Sequence, residues 1–302
     1  MQFKRIKRRV DGVLLLDKPA GISSNSALQK AKMLFQAAKA GHTGNLDPVA
    51  TGLLPVCFGE ATKFSQFLLD ADKTYQAEFT FGQTTTTGDA EGEITSNLPV
   101  NVTQPQLEQA LLDFTGEISQ VPPMYSALKH QGRALYEYAR KGVEIERQAR
   151  AVTIYRLTLD TFDGTRARVT VKCSKGTYIR VLAEDVGHAL GCGAFMSALR
   201  RTATSSFGIN DALTLEQLNE MDMAQRDTCL LPLDVLVKDL AKVVLDTDSA
   251  FYLMRGNPVW LPRQTERGEV RLYEEGGAFL GVGVAMDDGK IAPRRLVNFA
   301  AA

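Results

Sequence analysis

Residues 74–81 (TYQAEFTF) alternate without a break, with Tyr75, Ala77, Phe79 and Phe81 on one side and Thr74, Gln76, Glu78 and Thr80 on the other. Successive side chains of a strand point to opposite faces, so this pattern predicts a sheet with one covered and one wetted face, the usual state of an antiparallel sheet. Residues 166–173 repeat it, with basic positions set against Ala167, Val169, Val171 and Cys173, and a further strand is expected near 151–160. Residues 12–16 (GVLLL) and 53–59 (LLPVCFG) read instead as short buried strands. Helical spacing predicts helices from an N-cap at 23–26 to about Ala40, over EATKFSQFLL, over 104–114 and over about 177–190, each bounded by polar or glycine residues. Residues 83–93 read as a polar loop. Short strand patterns broken by Gly276-Gly277 and Asp288-Gly289 predict a small β-rich domain over 246–302, after a first domain over 1–245. With no βαβ alternation, the fold class is α+β: a mixed, mainly antiparallel sheet flanked by helices, plus the small β-rich C-terminal domain.

Charge narrows the partner more by its distribution than by its sum. Lys+Arg and Asp+Glu are both 35, a formal net charge of zero. Residues 4–9 (KRIKRR) and 166–180 are basic, the latter without an acid, whereas 211–239 is acidic. Segregation of this kind leaves one face basic on a neutral protein, as a nucleic-acid binder needs, although charge runs are also ordinary solvated surface. Residues 121–150 mix six basic residues with Tyr125, Tyr136 and Tyr138. The four cysteines lie far apart, without a C-x-x-C, and read as reduced thiols of a cytoplasmic protein. No segment approaches a membrane span, and Asp17-Lys18-Pro19 ends the VLLL run too soon for a signal peptide.

The residues that could carry chemistry are few. Gly52–Gly59 has glycine-rich spacing, but Glu60 stands where a phosphate-binding loop needs lysine. His42, His130 and His188 are scattered, so no metal site and no cofactor site is expected. What remains is 41–52 (GHTGNLDPVATG), a tightly constrained loop with the single carboxylate Asp47. Pro48 disfavours the α region at Asp47 and biases its side chain to project, which suits a nucleophile or base on a rigid frame. The competing reading is an Asx-type turn, and local chemistry alone favours it. Tyr75 is a core residue or a platform on which a base stacks. Arg180, just after Tyr178 at a helix start, is a surface residue, a phosphate ligand or the partner of a carboxylate. His42 is a loop histidine or a wedge between bases.

Six stretches in order resemble a known family: LLLDKPAGISSNSALQKAK (14–32), GHTGNLDPVATGLLPVCFGEATKF (41–64), DKTYQAEFTFGQTTTTGDAEGE (72–93), VPPMYSALKHQGRALYEYARKG (121–142), CSKGTYIRVLAEDVG (173–187) and LRRTATSSFG (199–208). They closely resemble the bacterial TruB-type tRNA pseudouridine synthases, over nearly the whole chain to about 245. The last fifty-odd residues resemble, more loosely, that family's PUA-like RNA-binding domain. The resemblance implies isomerisation of uridine to pseudouridine at position 55 in the tRNA T-loop, without a cofactor. It gives Asp47 as the catalytic carboxylate, Tyr75 as the residue stacking on the flipped base, and Arg180 as the partner that fixes Asp47 and lowers its pKa. Tyr178 and Leu199 match further pocket positions, His42 the residue inserted into the T-loop, and Lys18 with Pro19 a motif supporting the Asp47 loop and grouped with the substrate-binding positions. It further implies that 121–150 clamps the tRNA arm. Nothing in the sequence suggests an oligomer or an obligate protein partner, so a cytoplasmic monomer is expected. An RNA-binding protein or tRNA-folding chaperone on the same scaffold is the alternative from another class. A guide-RNA-dependent relative ranks below it, since no basic tail follows VNFA.

Overall fold

The computed structural model describes residues 7–262 and 265–299; residues 4–6 of the basic run at 4–9 lie outside them. Strands β1 (Gly12–Lys18), β2 (Ala40–His42) and β3 (Thr51–Phe58) come together early in the chain, β3 pairing antiparallel with both of the others. Both faces of β1 and β3 are covered. Helix α1 (Ser24–Leu34) closes over Leu14, Leu16, Leu54, Val56 and Phe58, while Phe64, Leu68, Val282 and Val297 pack on Val13, Leu15, Leu53 and Cys57. Burial on two sides is why these strands read as unbroken apolar runs rather than as alternating ones.

The sheet continues through β4 (Lys73–Phe81), β5 (Gly116–Gln120), β6 (Arg150–Phe162), β7 (Arg166–Cys173) and β8 (Ala194–Thr204). Its spatial order is Leu213–Thr214, β1, β3, β8, β4, β7, β6, β5, with β2 and the short strand Phe207–Gly208 at the side. Two of its pairings are parallel, β1 with Leu213–Thr214 and β3 with β8. The sheet is thus mixed and mainly antiparallel, as the alternation at 74–81 predicts. Tyr75, Ala77, Phe79 and Phe81 all face a core roofed by α2 (Gln104–Asp113) and α3 (Ile179–Ala189) through Leu107, Leu111, Leu182 and Val186. Each such fully buried side chain contributes about 1.5–3 kcal/mol of transfer free energy.

Several expected boundaries move. The first helix stops at Leu34 rather than near Ala40, because Gln36 takes a positive φ of 50° and Ala38 N–H donates to the Arg8 carbonyl, turning the chain into β2. The stretch after β3 is a 3₁₀ turn, Gly59–Lys63, and a short helix, Ser65–Leu69, broken at Phe64, whose ring is drawn into the core. The loop expected over 83–93 begins with a strand, Gln83–Thr85, paired with Ile94–Asn97.

A second sheet holds Ala241–Leu245, Gly268–Glu274, Phe279–Ala285, Lys290–Leu296 and Val259–Trp260 in that order, so its first strand precedes the boundary expected near 245. It has its own core, including Val243, Leu245, Val270, Leu272 and Ile291. Among the described residues, no helix is long and apolar enough to cross a membrane.

One glycine fixes how closely β3 and β8 approach. Gly52 has φ of +102°, and a Cβ there would lie 2.3 Å from the Arg201 carbonyl oxygen, a backbone atom that cannot step aside. Gly52→Ala is therefore expected to destabilise the fold by more than about 1 kcal/mol, seen as a lower urea midpoint at unchanged slope.

Candidate active site

The loop between β2 and β3 is held by its carbonyls. Gly44 and Asn45 oxygens accept from the Arg201 guanidinium at 3.3 and 3.4 Å. Ser24, buried in the first turn of α1, donates Oγ to the Leu46 carbonyl at 2.9 Å and accepts from Leu46 N–H at 2.7 Å. Asp47 O accepts from Ala50 N–H at 3.1 Å, closing a turn with Pro48 at its second position. Pro48 O accepts from Gly21 N–H at 2.8 Å and Lys18 Nζ at 3.4 Å. The loop is thus a backbone turn rather than an Asx-type one: the turn uses the Asp47 carbonyl and leaves its carboxylate to face Arg180.

Arg180 joins three segments. One guanidinium nitrogen, Nη2, donates to Asp47 Oδ2 at 2.8 Å and to the Tyr125 carbonyl at 2.9 Å, while Nη1 donates to Asp89 Oδ2 at 3.2 Å. Arg180 and Asp89 are buried, whereas the Asp47 side chain keeps 36% of its exposure. Asp89 is itself held by Glu91 N–H at 3.1 Å. The start of α3 is pinned by Gln120, whose amide accepts from Tyr178 N–H at 3.0 Å and donates to Tyr178 O at 3.2 Å. That clasp sets the direction in which Arg180, two residues on, leaves the helix.

Burial is the largest influence on Asp47 and raises its pKa above the usual carboxylate range. Asp89 adds to this, while Arg180 and Lys18 oppose it. The expected lowering by Arg180 is therefore present but outweighed by burial, to which the neighbouring Asp89 charge adds. Burial also raises the Tyr75 and Tyr178 phenols. Burial and the Arg201 charge lower His42, which keeps its ring neutral, and its Nδ1 has no hydrogen-bond partner.

The other expected positions fall as follows. Tyr75 lies in the core cluster with Leu46 and Ala50 of the Asp47 loop. Leu199, on β8 opposite Ala77, packs against the same cluster. His42 ends β2, just before the loop. Lys18 is fully buried and donates to the Pro19, Ile22 and Pro48 carbonyls at 2.8, 2.7 and 3.4 Å, so its ammonium braces the loop rather than facing outward. Burial lowers its pKa to about 8. Three residues escaped the sequence reading: Asp89, Ser24 and Arg201. The run TTTTGDAEGE carried only a weak signal for Asp89, one of three acids among threonines and glycines. Among the described residues no His, Cys, Asp and Glu group is arranged to hold a metal ion.

Known proteins share this arrangement of chain. Residues 32–179 match the N-terminal domain of the TruB family pseudouridylate synthases, 180–251 match the tRNA pseudouridylate synthase B C-terminal domain, and 241–297 match the C-terminal region of pseudouridine synthase II TruB. A tRNA pseudouridine synthase B from Methylobacillus flagellatus is 61% identical over 298 residues, 99% of each chain. The chain belongs to the TruB family. Among solved structures, a Cbf5-Nop10-Gar1 complex aligns with a TM-score of 0.72 at 28% identity, over 94% of this chain and 84% of that one. An H/ACA RNP bound to a substrate RNA containing 2'-deoxyuridine aligns with a TM-score of 0.71 at 25% identity, over 94% and 84%. The TruB match extends through both sheets.

Asp89 supplies a test of the charge balance. A reaction that needs ionised Asp47 is lost as pH falls through that group's raised pKa. Asp89→Asn removes a neighbouring negative charge, so the acid limb of a single-turnover pH profile is expected to move to lower pH. The plateau rate is expected to fall as well, because Arg180 loses its second charged anchor.

Proposed function

We propose that this chain isomerises uridine to pseudouridine at position 55 in the T-loop of tRNA, with Asp47 as the reacting carboxylate. The observation that carries the reading is one partly exposed carboxylate held by a buried arginine beside a buried tyrosine. The reaction breaks a C–N glycosidic bond, turns the base and forms a C–C bond, with no net gain or loss of atoms and no change of redox state, so it requires no cofactor. Attack on C6, attack on C1′ and removal of the 2′ hydrogen all begin from ionised Asp47 next to the nucleoside. Arg180 and Lys18 serve that state electrostatically and Arg180 fixes the carboxylate's direction.

The target base must leave its stack, which costs a few kcal/mol, and stacking on the Tyr75 ring offsets part of this. Neutral His42 at the loop's edge suits a ring that fills the space the base vacates. Tyr178 and Leu199 line the pocket, and Lys18 serves the substrate indirectly, through the loop. Residues 121–150 clamp the RNA arm: a two-stranded ribbon (Lys129–His130 with Arg133–Ala134) and the helix Leu135–Ala139 carry exposed Tyr136, with Arg140 stacked 5.4 Å over its ring. The sheet from Ala241 onward forms a PUA-like RNA-binding module beside a catalytic domain, and the protein works as a cytoplasmic monomer. Opening and reclosing the T-loop also lets it assist tRNA folding. A pure RNA binder has no use for the Asp47–Arg180 pair, which favours the enzyme.

Tritium release from tRNA labelled at uridine C5 tests the reading. Asp47→Asn is expected to lose at least about a thousandfold in rate while binding tRNA within a few-fold of wild type; normal turnover would overturn the assignment. Tyr75→Phe is expected to retain more activity than Tyr75→Ala, since Phe keeps the ring. Binding is expected to weaken with rising salt in proportion to the phosphates contacted.

A further inference from the structure

Arg201 is the largest fully buried side chain of the described residues, 1% exposed, and no carboxylate among them lies within ion-pair distance of it. A buried cation without a countercharge is costly, and acceptors at its nitrogens offset that cost. Here each guanidinium nitrogen has one. Nε donates to the Leu53 carbonyl at 2.6 Å, Nη1 to Asn45 O at 3.4 Å and Nη2 to Gly44 O at 3.3 Å. The three acceptors flank Asp47 on both sides along the chain, and they diverge, so a planar fork reaches them where an ammonium does not.

The position of Arg201 in the sheet adds a second connection. It sits on β8 between two neighbours, in register with Tyr75 of β4 on one side and with Gly52 of β3 on the other. Gly44 packs on the guanidinium, where a Cβ would lie in ordinary contact, 3.6 Å from Nη1. The charge is felt on both sides of the site, easing ionisation of the Tyr75 phenol against the stronger effect of burial and disfavouring protonation of His42.

We infer that Arg201 is a positioning residue, a buried fork that ties the Asp47 loop to the strand bearing Tyr75. The carboxylate and the stacking ring are thereby held as one unit. This rests on the reading that Asp47 and Tyr75 act on the flipped uridine. It gives the second arginine of LRRT a role distinct from Arg200, which pairs at the surface with Asp17.

The test measures single-turnover pseudouridine formation and tRNA affinity for Arg201→Lys and Arg201→Met, with Asp47→Asn in parallel. Misplacing reacting groups by about an ångström costs on the order of a hundredfold in rate. Arg201→Met is expected to lose about that much with tRNA affinity within threefold of wild type, and Arg201→Lys to recover less than tenfold of the loss. If Arg201→Met does not fold, the Lys variant decides alone, with a loss of about tenfold or more expected. A rate within threefold of wild type for folded Arg201→Lys overturns the inference, and so does a tRNA affinity that falls in step with the rate. Normal turnover by Asp47→Asn is a different result, and it overturns the functional reading beneath the inference.

Discussion

The Arg180 guanidinium is where four distant stretches of chain meet. It leaves the first turn of α3, touches the β2–β3 loop through Asp47, the loop after β4 through Asp89, and the start of the 121–150 segment through the Tyr125 carbonyl. Two carboxylates share one arginine, and the Lys18 ammonium acts on Asp47 as a second cation. Asp89 is buried with its own backbone donor, while Asp47 keeps contact with solvent. The two acids have different tasks as a result. Removing one partner of a buried pair of this kind costs about 3–5 kcal/mol, so Asp89 and Arg180 hold each other in place, and Asp47 is the member free to change its surroundings.

Around that pair, the backbone is set by donors from below. Ser24, Lys18 and Arg201 come from α1, β1 and β8, and between them they engage the carbonyls of Gly44, Asn45, Leu46 and Pro48. β1 and β3 are covered on both faces, so the frame beneath the loop is among the most constrained parts of the molecule. A side chain on such a frame needs little reordering when a substrate arrives, and that is the condition for electrostatic preorganisation.

What could be read from the sequence follows from how local each signal is. The alternation at 74–81 and the apolar runs at 12–16 and 53–59 are set by neighbours along the chain, so strands and buried faces were legible. The projecting Asp47 was legible in Pro48 and the surrounding glycines, though only as one of two readings. Its partner Asp89 was not, because an acid in TTTTGDAEGE becomes buried only when α3 is laid over the loop. Arg200 and Arg201 are adjacent and chemically alike, yet one pairs with Asp17 near the surface and the other is sealed inside. The two-residue period of β8 contains that difference, but the sequence does not say which phase faces the core. The first helix ran long on paper because nothing local announces that Gln36 must turn the chain into β2.

Tyr125 gives the 121–150 segment a mechanical link to the site. Its carbonyl and the Asp47 carboxylate share one nitrogen of Arg180. The root of this segment cannot shift without stretching a bond at the atom that holds the carboxylate. Under the proposed function, grip on the RNA arm and aim at the nucleoside are linked through that single atom.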